Sequence, residues 1–397
     1  MEEPVQAANQ SNGRHSVAVL GATGSIGSAT LDVVRSLGDP WQIAAVSAHS
    51  RSKELLQIAQ DVAPSFCVST CSESAAQVDW SQLPSGCKHL SGQDGLIEAA
   101  QSDRVDTVVA AVVGAAGLPS TLAAAEAGKR LALANKEALV VAGSLLTSAL
   151  QQSGGEMLPV DSEHCAIFQA IQSGQPREVA RVILTASGGP FRSCSADEIA
   201  NATVDDALAH PTWEMGRKIT IDSATMMNKA LEIIEARWLF DLPAEKIEVV
   251  VHPQSIIHSM VEFVDGSIIA QLSPPDMRLP IQYALTFPSR QVCPAESMDF
   301  TKTWNLQLEP VDLDRFPALK LGWEVVRRGG TTGAVLSAAN EAAVELFLNG
   351  QIKFPEITAG CKRILDEHDF SPSPRLDELM RLDAWAREEI QKWAAVC

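Results

Sequence analysis

The stretch Ser16-Val-Ala-Val-Leu-Gly-Ala-Thr-Gly-Ser-Ile-Gly27 decides the fold of the first half of the chain. Residues 16–20 predict a short apolar strand, and a helical pattern follows the glycines through Leu31, Val34 and Leu37. A strand, a glycine-rich turn and a helix in this order form the context of a dinucleotide-binding fingerprint, in which the helix N-terminus favours a pyrophosphate. The spacing is G-x-x-G-x-x-G and not the usual G-x-G-x-x-G, so a tight turn without a ligand is the alternative.

The end of the second predicted strand favours NADP over NAD. This strand, residues 43–48, runs into His49, Ser50 and Arg51. An acid at this place would hold the ribose 2′-hydroxyl of NAD, and the sequence has none there. The three polar residues offer donors for a 2′-phosphate instead, although they also suit the solvated start of a helix.

Strands and helices go on alternating up to residue 160. Further strands are predicted at 65–69, 107–113, 130–134 and 156–160, with helices at 118–127 and 137–150 among the segments between them. This alternation predicts a parallel, doubly wound sheet, whose ligands bind at the carboxyl ends of its strands. Asn135, Lys136 and Glu137 follow one such end, and Asp161-Ser162-Glu163 follows another.

Asp161 and Glu163 form a candidate metal site. In an extended segment, residues two apart point to the same side, so we expect the two carboxylates to face one common point. Their mutual repulsion is relieved if a hard divalent cation lies between them. A polar surface turn is the alternative for so short a motif.

The next hundred residues add a third carboxylate and donors for an anion. A strand is predicted at 218–221 and a helix at 224–239, on which Asn228, Lys229 and Glu232 share one face. With Ser223 they suit a phosphate site beside a metal, and a surface Lys–Glu pair is the alternative.

Two loops and a hairpin complete this region. A strand at 179–185 leads into a glycine-rich turn that carries Ser187. The segment 205–217 contains His210 and Trp213 and is a candidate lid, although a tryptophan packed on the core is the commoner case. Strands at 247–251, 256–264 and 267–272 predict a small sheet, in which Asp265-Gly266 closes a tight hairpin.

Composition limits the partners. The net charge of −18 argues against a nucleic acid or an anionic membrane, and no apolar run has the length of a membrane span. The eight cysteines are scattered without a C-x-x-C pair, which indicates reduced thiols in the cytoplasm.

We expect a disordered leader over 1–15, a nucleotide-binding domain over 16–160, a catalytic domain over 161–287, a linker over 288–313 and a helical domain over 314–397.

Several of these motifs together resemble the 1-deoxy-D-xylulose 5-phosphate reductoisomerase family, over the whole chain from about Val17. The resemblance is carried by long ordered stretches, which are GATGSIG at 21–27, LANKE at 133–137, LPVDSEH at 158–164, SGGPF at 187–191, MGRK at 215–218, DSATMMNK at 222–229, LE at 231–232, EARW at 235–238 and HPQS at 252–255.

The resemblance implies NADPH as cofactor, Mn²⁺ or Mg²⁺ (with Co²⁺ also possible) and a homodimer. The reaction would rearrange and then reduce 1-deoxy-D-xylulose 5-phosphate to 2-C-methyl-D-erythritol 4-phosphate, in the non-mevalonate route to isoprenoid precursors. The family's rearrangement implies retro-aldol and aldol steps, which Lys136 could assist.

The resemblance also implies roles for individual residues. The metal ligands would be Asp161, Glu163 and Glu232, which with Lys136 would carry the chemistry. Glu163 and Glu232 would also meet the substrate. Ser162 and Lys136 would contact its backbone, Ser187, Ser223, Asn228 and Lys229 its phosphate with His210 nearby, and Trp213 would lie on the closing loop. NADPH contacts are implied for Thr23, Gly24, Ser25, Ile26, Asn135, Glu137 and Gly216.

One departure and two competing functions remain open. Around residues 48–51 the family often has a Gly-Lys/Arg-Asn run, and this chain departs from it, so the 2′-phosphate contacts of His49, Ser50 and Arg51 are expected from their residue types and not from the resemblance. A simple NADP-dependent dehydrogenase of another phosphorylated small molecule would need the glycine turn but no carboxylate triad. A nucleotide-sensing protein would bind NADPH without turnover.

Overall fold

The computed structural model describes residues 14–212 and 215–395. Most of the predicted leader and the predicted lid residue Trp213 lie outside these described residues. His15, the last residue of that leader, already belongs to the first strand.

Seven parallel strands form the first sheet, in the order β4-β3-β2-β1-β5-β6-β7. They are β1 (His15–Leu20), β2 (Trp41–Ala48), β3 (Phe66–Ser69), β4 (Lys88–Ser91), β5 (Thr107–Ala110), β6 (Arg130–Leu133) and β7 (Glu156–Pro159). The doubly wound sheet is therefore confirmed. The sequence analysis missed β4, because this edge strand buries only Leu90 and shows no apolar run.

Six helices connect these strands. They are α1 (Ser25–Leu37), α2 (Ser52–Val62), α3 (Ser72–Ala75), α4 (Gly92–Gln101), α5 (Leu118–Glu126) and α6 (Lys136–Ser153). The strand order reverses beside β1, whose neighbours are β2 and β5. Ligands of such sheets bind in the crevice outside the carboxyl ends at this reversal.

Gly21 shapes the turn between β1 and α1. Its φ of +93° is a conformation that favours glycine, and a Cβ there would lie 2.6 Å from the carbonyl oxygen of Ala111. Its amide donates to Ser47 Oγ over 2.9 Å. The turn is thus held between the ends of β2 and β5, and it lies at the predicted cofactor crevice.

The second sheet is mixed, with the order β11-β10-β8-β9-β12. Its strands are β8 (Val179–Ala186), β9 (Ile247–Val251), β10 (Ile257–Phe263), β11 (Ile268–Leu272) and β12 (Glu309–Pro310). Strands β10 and β11 pair antiparallel, and Gly266 donates its amide to the carbonyl of Phe263, so the predicted hairpin is confirmed. Strand β12 lies inside the segment 288–313 that is predicted as a linker.

The described residues of the middle of the chain form six helices. They are α7 (Ser162–Ile171), α8 (Ala196–Ala200), α9 (Val204–Leu208), α10 (Arg217–Thr225), α11 (Met227–Phe240) and α12 (Arg278–Thr286). The sequence pattern predicted a helix only over the stretch of α11, and α7, α8, α9 and α12 were not predicted.

The strand predicted at 218–221 is wrong, because these residues form the start of α10. The alternating Lys-Ile-Thr-Ile pattern imitates a strand. In the helix, however, Lys218 and Asp222 stand one turn apart and form an ion pair of 2.8 Å. The single helix predicted at 224–239 is likewise two helices, separated by Met226 with a φ of +63°.

The C-terminal segment is helical, as predicted. Its helices are α13 (Ala318–Arg328), α14 (Thr332–Leu348), α15 (Phe354–Glu367) and α16 (Leu376–Ala394). Their apolar faces share one buried core with β8 and α11, so they pack directly behind the central part of the chain. Among the described residues, no helix is both long and apolar enough to cross a membrane.

Candidate active site

A cavity of about 500 Å³ lies where the two sheets approach each other. Its walls come from the start of α1 and from the segments after β5, β6, β7 and β8, and α10 and α11 close it. The predicted site residues that line it are Ser25, Ile26, Asn135, Lys136, Glu137, Asp161, Ser162, Glu163, Ser187, His210, Gly216, Ser223, Asn228, Lys229 and Glu232. The fold therefore brings residues from six separate stretches to one place.

Three carboxylates converge in this cavity. One oxygen each from Asp161, Glu163 and Glu232 lies within 4.8 Å of the others. The expected convergence is present, but its predicted cause is wrong, because Asp161 and Glu163 are not in an extended segment. Asp161 caps the N-terminus of α7, where it accepts from the amides of Glu163 and His164 at 3.1 and 3.4 Å.

Two buried lysines face these carboxylates. Lys136 Nζ donates to Asp161 Oδ2 at 2.8 Å, to Asn228 Oδ1 at 2.9 Å and to Glu232 Oε1 at 3.3 Å. Lys229 Nζ pairs with Glu232 and lies 3.7 Å from Glu163 Oε1. The side chain of Glu232 is only 1% exposed, so these lysines are the partners that compensate its buried charge.

The pKa values follow from this arrangement. Burial opposes ionisation of Asp161, but the Lys136 ammonium and His164 outweigh it and hold the pKa of Asp161 well below its usual range. Burial, together with the nearby carboxylates of Glu232 and Asp161, raises the pKa of Glu163 to about 7. The Lys229 ammonium opposes this rise only in part. A cluster with excess carboxylate charge is suited to a divalent cation, and all three donors are the hard oxygens that Mg²⁺ and Mn²⁺ prefer.

His164 and Glu235 stand behind the carboxylates, and the sequence analysis gave them no role. His164 Nε2 donates to the backbone carbonyl of Glu232 at 2.9 Å, and its Nδ1 lies 3.2 Å from Asp161 Oδ1 and 3.4 Å from Glu235 Oε2. Burial alone would lower the pKa of this imidazole, but the facing carboxylates of Glu235 and Asp161 raise it to about 9. The imidazolium thus supports Asp161 from the side opposite Lys136.

The turn after β8 forms the other end of the cavity. Ser187 Oγ accepts from the amide of Gly189 at 3.2 Å and lies 3.0 Å from His210 Nε2. Because His210 Nδ1 accepts from the amide of Thr212, the neutral ring carries its proton on Nε2 and donates it to Ser187. Burial lowers the pKa of His210, which favours this neutral form. Because Ser187 Oγ accepts from both Gly189 and His210, its own hydroxyl proton is available to a further acceptor. A phosphate oxygen bound at this turn would be such an acceptor.

Two of the predicted phosphate ligands point elsewhere in this conformation. Asn228 Nδ2 donates to Glu232 Oε1 at 2.5 Å, while its Oδ1 accepts from Lys136. Lys229 also pairs with Glu232. Both side chains line the cavity, but they contact the carboxylates and not the Ser187 turn.

The predicted 2′-phosphate residues lie apart from this cavity, at the end of β2. His49 Nδ1 is 2.9 Å from Thr70 Oγ1, and Arg51 Nη1 is 3.3 Å from Glu54 Oε2 on the first turn of α2. Thr23 and Gly24 precede α1 and do not belong to the lining of the cavity either. The end of β2 lies next to β1, which is where the adenosine half of a dinucleotide is bound in this type of sheet.

Lys218 and Asp222 are cavity residues that the sequence analysis assigned to no site. Lys218 Nζ lies 2.7 Å from Glu137 Oε1 and 2.8 Å from Asp222 Oδ2, so it joins the start of α6 to α10. The Lys–Asp spacing of four residues is a helical signal, and it was available in the sequence.

Three family models match successive parts of the chain. The model for 1-deoxy-D-xylulose 5-phosphate reductoisomerase matches residues 17–143. The model for the 1-deoxy-D-xylulose 5-phosphate reductoisomerase C-terminal domain matches residues 157–240, and a further model, for the DXP reductoisomerase C-terminal domain, matches residues 272–389.

Similar proteins cover nearly the whole chain. A 1-deoxy-D-xylulose 5-phosphate reductoisomerase of Rhodopirellula baltica is 52% identical, over 96% of this chain and 95% of that protein. One of Pelodictyon phaeoclathratiforme is 48% identical, over 96% of this chain and all of its own length (100%).

Solved structures agree with the sequence comparisons. The Zymomonas mobilis enzyme in complex with NADPH has a TM-score of 0.90 and 44% identity, covering 96% of this chain and 99% of that one. A DOX-P reductoisomerase in complex with NADPH, fosmidomycin and magnesium has a TM-score of 0.90 and 42% identity, covering 96% of this chain and 98% of that one. This chain belongs to the 1-deoxy-D-xylulose 5-phosphate reductoisomerase family.

Proposed function

We propose that this chain uses NADPH and a divalent metal to convert 1-deoxy-D-xylulose 5-phosphate to 2-C-methyl-D-erythritol 4-phosphate. The observation that carries the proposal is one cavity in which the start of α1, directly after the glycine-rich turn, meets three convergent carboxylates and the Ser187 turn. A simple dehydrogenase needs the first of these features but has no use for the second.

Asp161, Glu163 and Glu232 would hold the metal. They fit a hard dication, because each offers an oxygen and the three oxygens lie within 4.8 Å of one another. When bound, the metal supplies a Lewis acid for the carbonyl and hydroxyl oxygens of the substrate. Three protein ligands leave further positions of such an ion open to substrate.

The remaining polar residues of the cavity would orient the substrate. Lys136 can donate to a substrate oxygen once its carboxylate partners bind the metal, and Ser162 lies beside Glu163, to which its hydroxyl donates at 2.6 Å. Ser187 and Ser223, with Asn228 and Lys229 turned from Glu232, would hold the phosphate. This remote anchor provides binding energy that positions the reacting carbons.

NADPH would lie across the carboxyl ends of β1, β5 and β6. It supplies the hydride for the reduction. Ser25, Ile26, Asn135, Glu137 and Gly216 line the cavity on this side, and Thr23 and Gly24 belong to the adjoining turn.

The residues after β2 would hold the 2′-phosphate of the cofactor. His49, Ser50 and Arg51 carry no negative charge that would repel this group. Arg51 is exposed and would exchange its pairing with Glu54 for the phosphate. The lid role of Trp213 stays a prediction.

The direct test is a turnover assay with one variant and with the chelated wild type. The protein is mixed with NADPH, Mn²⁺ or Mg²⁺ and 1-deoxy-D-xylulose 5-phosphate, and the loss of NADPH absorbance is followed. Asp161→Asn keeps an oxygen that can cap α7 but removes the charge, and it should lower kcat by at least about 100-fold. Chelation of the metal should stop the wild-type reaction. If Asp161→Asn or the chelated enzyme keeps full activity, the chain is a metal-independent dehydrogenase; if the native protein binds NADPH without oxidising it, it is a sensor.

We propose that the chain forms a homodimer through the open edge of the second sheet. Strand β11 lies at this edge, and its apolar residues Ile268 and Leu272 are 51% and 38% exposed. A groove of about 510 Å³ adjoins it, lined by residues of β11 and α12. An exposed apolar edge strand is a template for pairing with another chain.

Ile268→Lys should shift the protein to monomer in sedimentation velocity. Met380→Lys, which charges an exposed apolar residue on α16, a helix that packs on α14 and α15, should leave the mass unchanged. A monomeric wild type would overturn the dimer.

We also propose that the enzyme works in the cytoplasm, in keeping with its free cysteines and reduced cofactor. The domain boundaries at 160, 287 and 313 stay predictions.

A further inference from the structure

The residues that line the cavity come from the first 277 positions, yet the C-terminal helices approach it from behind. Helix α14 packs against α6 and α10, the two helices whose first turns carry Glu137 and Lys218. Helix α16 in turn packs on α14. The C-terminal segment can therefore act on the site only through other residues.

Glu341 on α14 is anchored from α16. Arg387 Nη2 donates to Glu341 Oε2 at 2.6 Å, and Asp383 fixes the same guanidinium through Nε at 2.8 Å. The other carboxylate oxygen, Glu341 Oε1, is buried and has no hydrogen-bond partner among the described residues. A buried charged oxygen without a donor is costly, so its position calls for a compensating role.

That oxygen faces Gly114 in the loop after β5. Gly114 has a φ of +72°, and a Cβ there would lie 2.9 Å from Glu341 Oε1, so the carboxylate packs directly on this backbone. From the other side, Asn135 Nδ2 donates to the Gly114 carbonyl at 3.0 Å. Val112 and Val113, which immediately precede Gly114, line the cavity. The Gly114 loop is thus fixed between a cofactor-side residue and α14.

Lys218 is the second link between α14 and the cavity. Burial opposes its charge, but the carboxylates of Asp222, Glu137 and Glu341 outweigh this and raise the pKa of Lys218. The neighbouring Asn340 also donates to Asp222 Oδ1 at 2.8 Å. Asn340 therefore fixes a carboxylate that pairs with Lys218, and the charge of Glu341 favours the ammonium form of the same lysine.

We propose that Glu341, held by Arg387, is a positioning residue that fixes the Gly114 loop beside the cavity and thereby raises the affinity for NADPH. The C-terminal helices contribute to cofactor binding in this way without touching the cavity. This inference rests on the proposed function, since NADPH is taken as the ligand of the cleft after β5.

The test is Glu341→Gln in the full-length protein, which removes the charge at nearly constant shape. We expect the Kd for NADPH, titrated by fluorescence without substrate, to rise about 5-fold or more. The KM for NADPH should rise alike, while kcat at saturating NADPH and the KM for 1-deoxy-D-xylulose 5-phosphate change less than about 2-fold. If Glu341 only stabilised the fold, its replacement would not change the Kd and KM for NADPH while leaving kcat and the substrate KM nearly constant. Glu389→Gln is the matched control, because Glu389 pairs with Lys392 on the outer part of α16.

An unchanged Kd for NADPH in folded Glu341→Gln overturns the inference, and so does an equal rise in Glu389→Gln. If Glu341→Gln does not fold, Arg387→Met decides in the same titration, because it frees the carboxylate without removing it. A wild type that does not oxidise NADPH with this substrate contradicts the proposed function. A fully active wild type with an unaltered Glu341→Gln contradicts only the positioning role.

Discussion

Replacing Lys136 by methionine should tighten Mn²⁺ binding although it abolishes turnover. Lys136 Nζ lies 2.8 Å from Asp161 Oδ2 and 3.3 Å from Glu232 Oε1, which are oxygens of two proposed metal ligands. A dication bound to Asp161 at about 2.1 Å would lie within roughly 5 Å of this ammonium if the lysine stayed in place. The lysine therefore competes with the metal for the same carboxylates and repels it as well.

The size of the effect follows from Coulomb's law. At about 5 Å a dication and an ammonium repel each other by roughly 1.7 kcal/mol at the dielectric constant of water, and by roughly 7 kcal/mol at an effective value of 20. The lysine side chain can move away, so the lower figure is the appropriate one. It corresponds to a Kd for Mn²⁺ that is more than about 10-fold lower in the variant.

The assay is a titration of the metal-free protein with Mn²⁺, in which free Mn²⁺ is measured by electron paramagnetic resonance in the absence of NADPH and substrate. Lys136→Arg keeps the charge and should not tighten binding. Lys129→Met removes a positive charge at the amino end of β6, opposite the carboxyl ends of the strands, where Lys129 donates to the Ser102 carbonyl. This variant should leave the Kd unchanged. The reasoning is refuted if natively folded Lys136→Met binds Mn²⁺ as weakly as the wild type or more weakly.

Three further substitutions test the turn, the phosphate end and a buried histidine. Gly21→Ala places a Cβ 2.6 Å from a carbonyl oxygen at a φ of +93° and should cost about 2–4 kcal/mol in urea unfolding; a loss below about 0.5 kcal/mol would contradict this. Ser187→Ala removes one proposed donor to a charged phosphate and should raise the substrate KM about 10- to 100-fold with a smaller change in kcat; an unchanged KM would exclude the contact. Burial lowers the pKa of His258 to about 4, below its value of about 6.5 in an unfolded chain, so this group favours the folded state above pH 6.5 and loses that contribution as the pH falls towards 4. Between pH 7 and 5 the wild type should lose about 2 kcal/mol more unfolding free energy than His258→Gln, and equal losses would refute the assignment.

Local patterns in the sequence were enough to predict most of the first sheet and the C-terminal helices. The GATGSIG turn after an apolar strand predicts a place where two backbone segments lie close together. At Gly21 the backbone does lie close to that of Ala111, with no room for a Cβ. The predictions failed where a short segment has a pattern that tertiary contacts override. Residues 218–221 alternate like a strand, but ion pairs of Lys218 with Glu137 and Asp222 and packing on α11 and α14 make them a helix.

By itself, the sequence determined which side chains are available for the chemistry: an Asp-x-Glu after a strand, a lysine after another strand, and a serine-bearing glycine turn. The resemblance implied that Glu232, 69 positions beyond Glu163, joins that pair, but no local spacing did. Only the tertiary structure brings the three carboxylates together and shows that two lysines compensate the resulting charge. It also decided that Glu341 reaches the Gly114 loop from a helix outside the cavity. The physical reason is that spacing along the chain specifies only neighbours within a strand or a helical turn. Contacts between distant elements depend on how their apolar faces pack, and no local pattern records that packing.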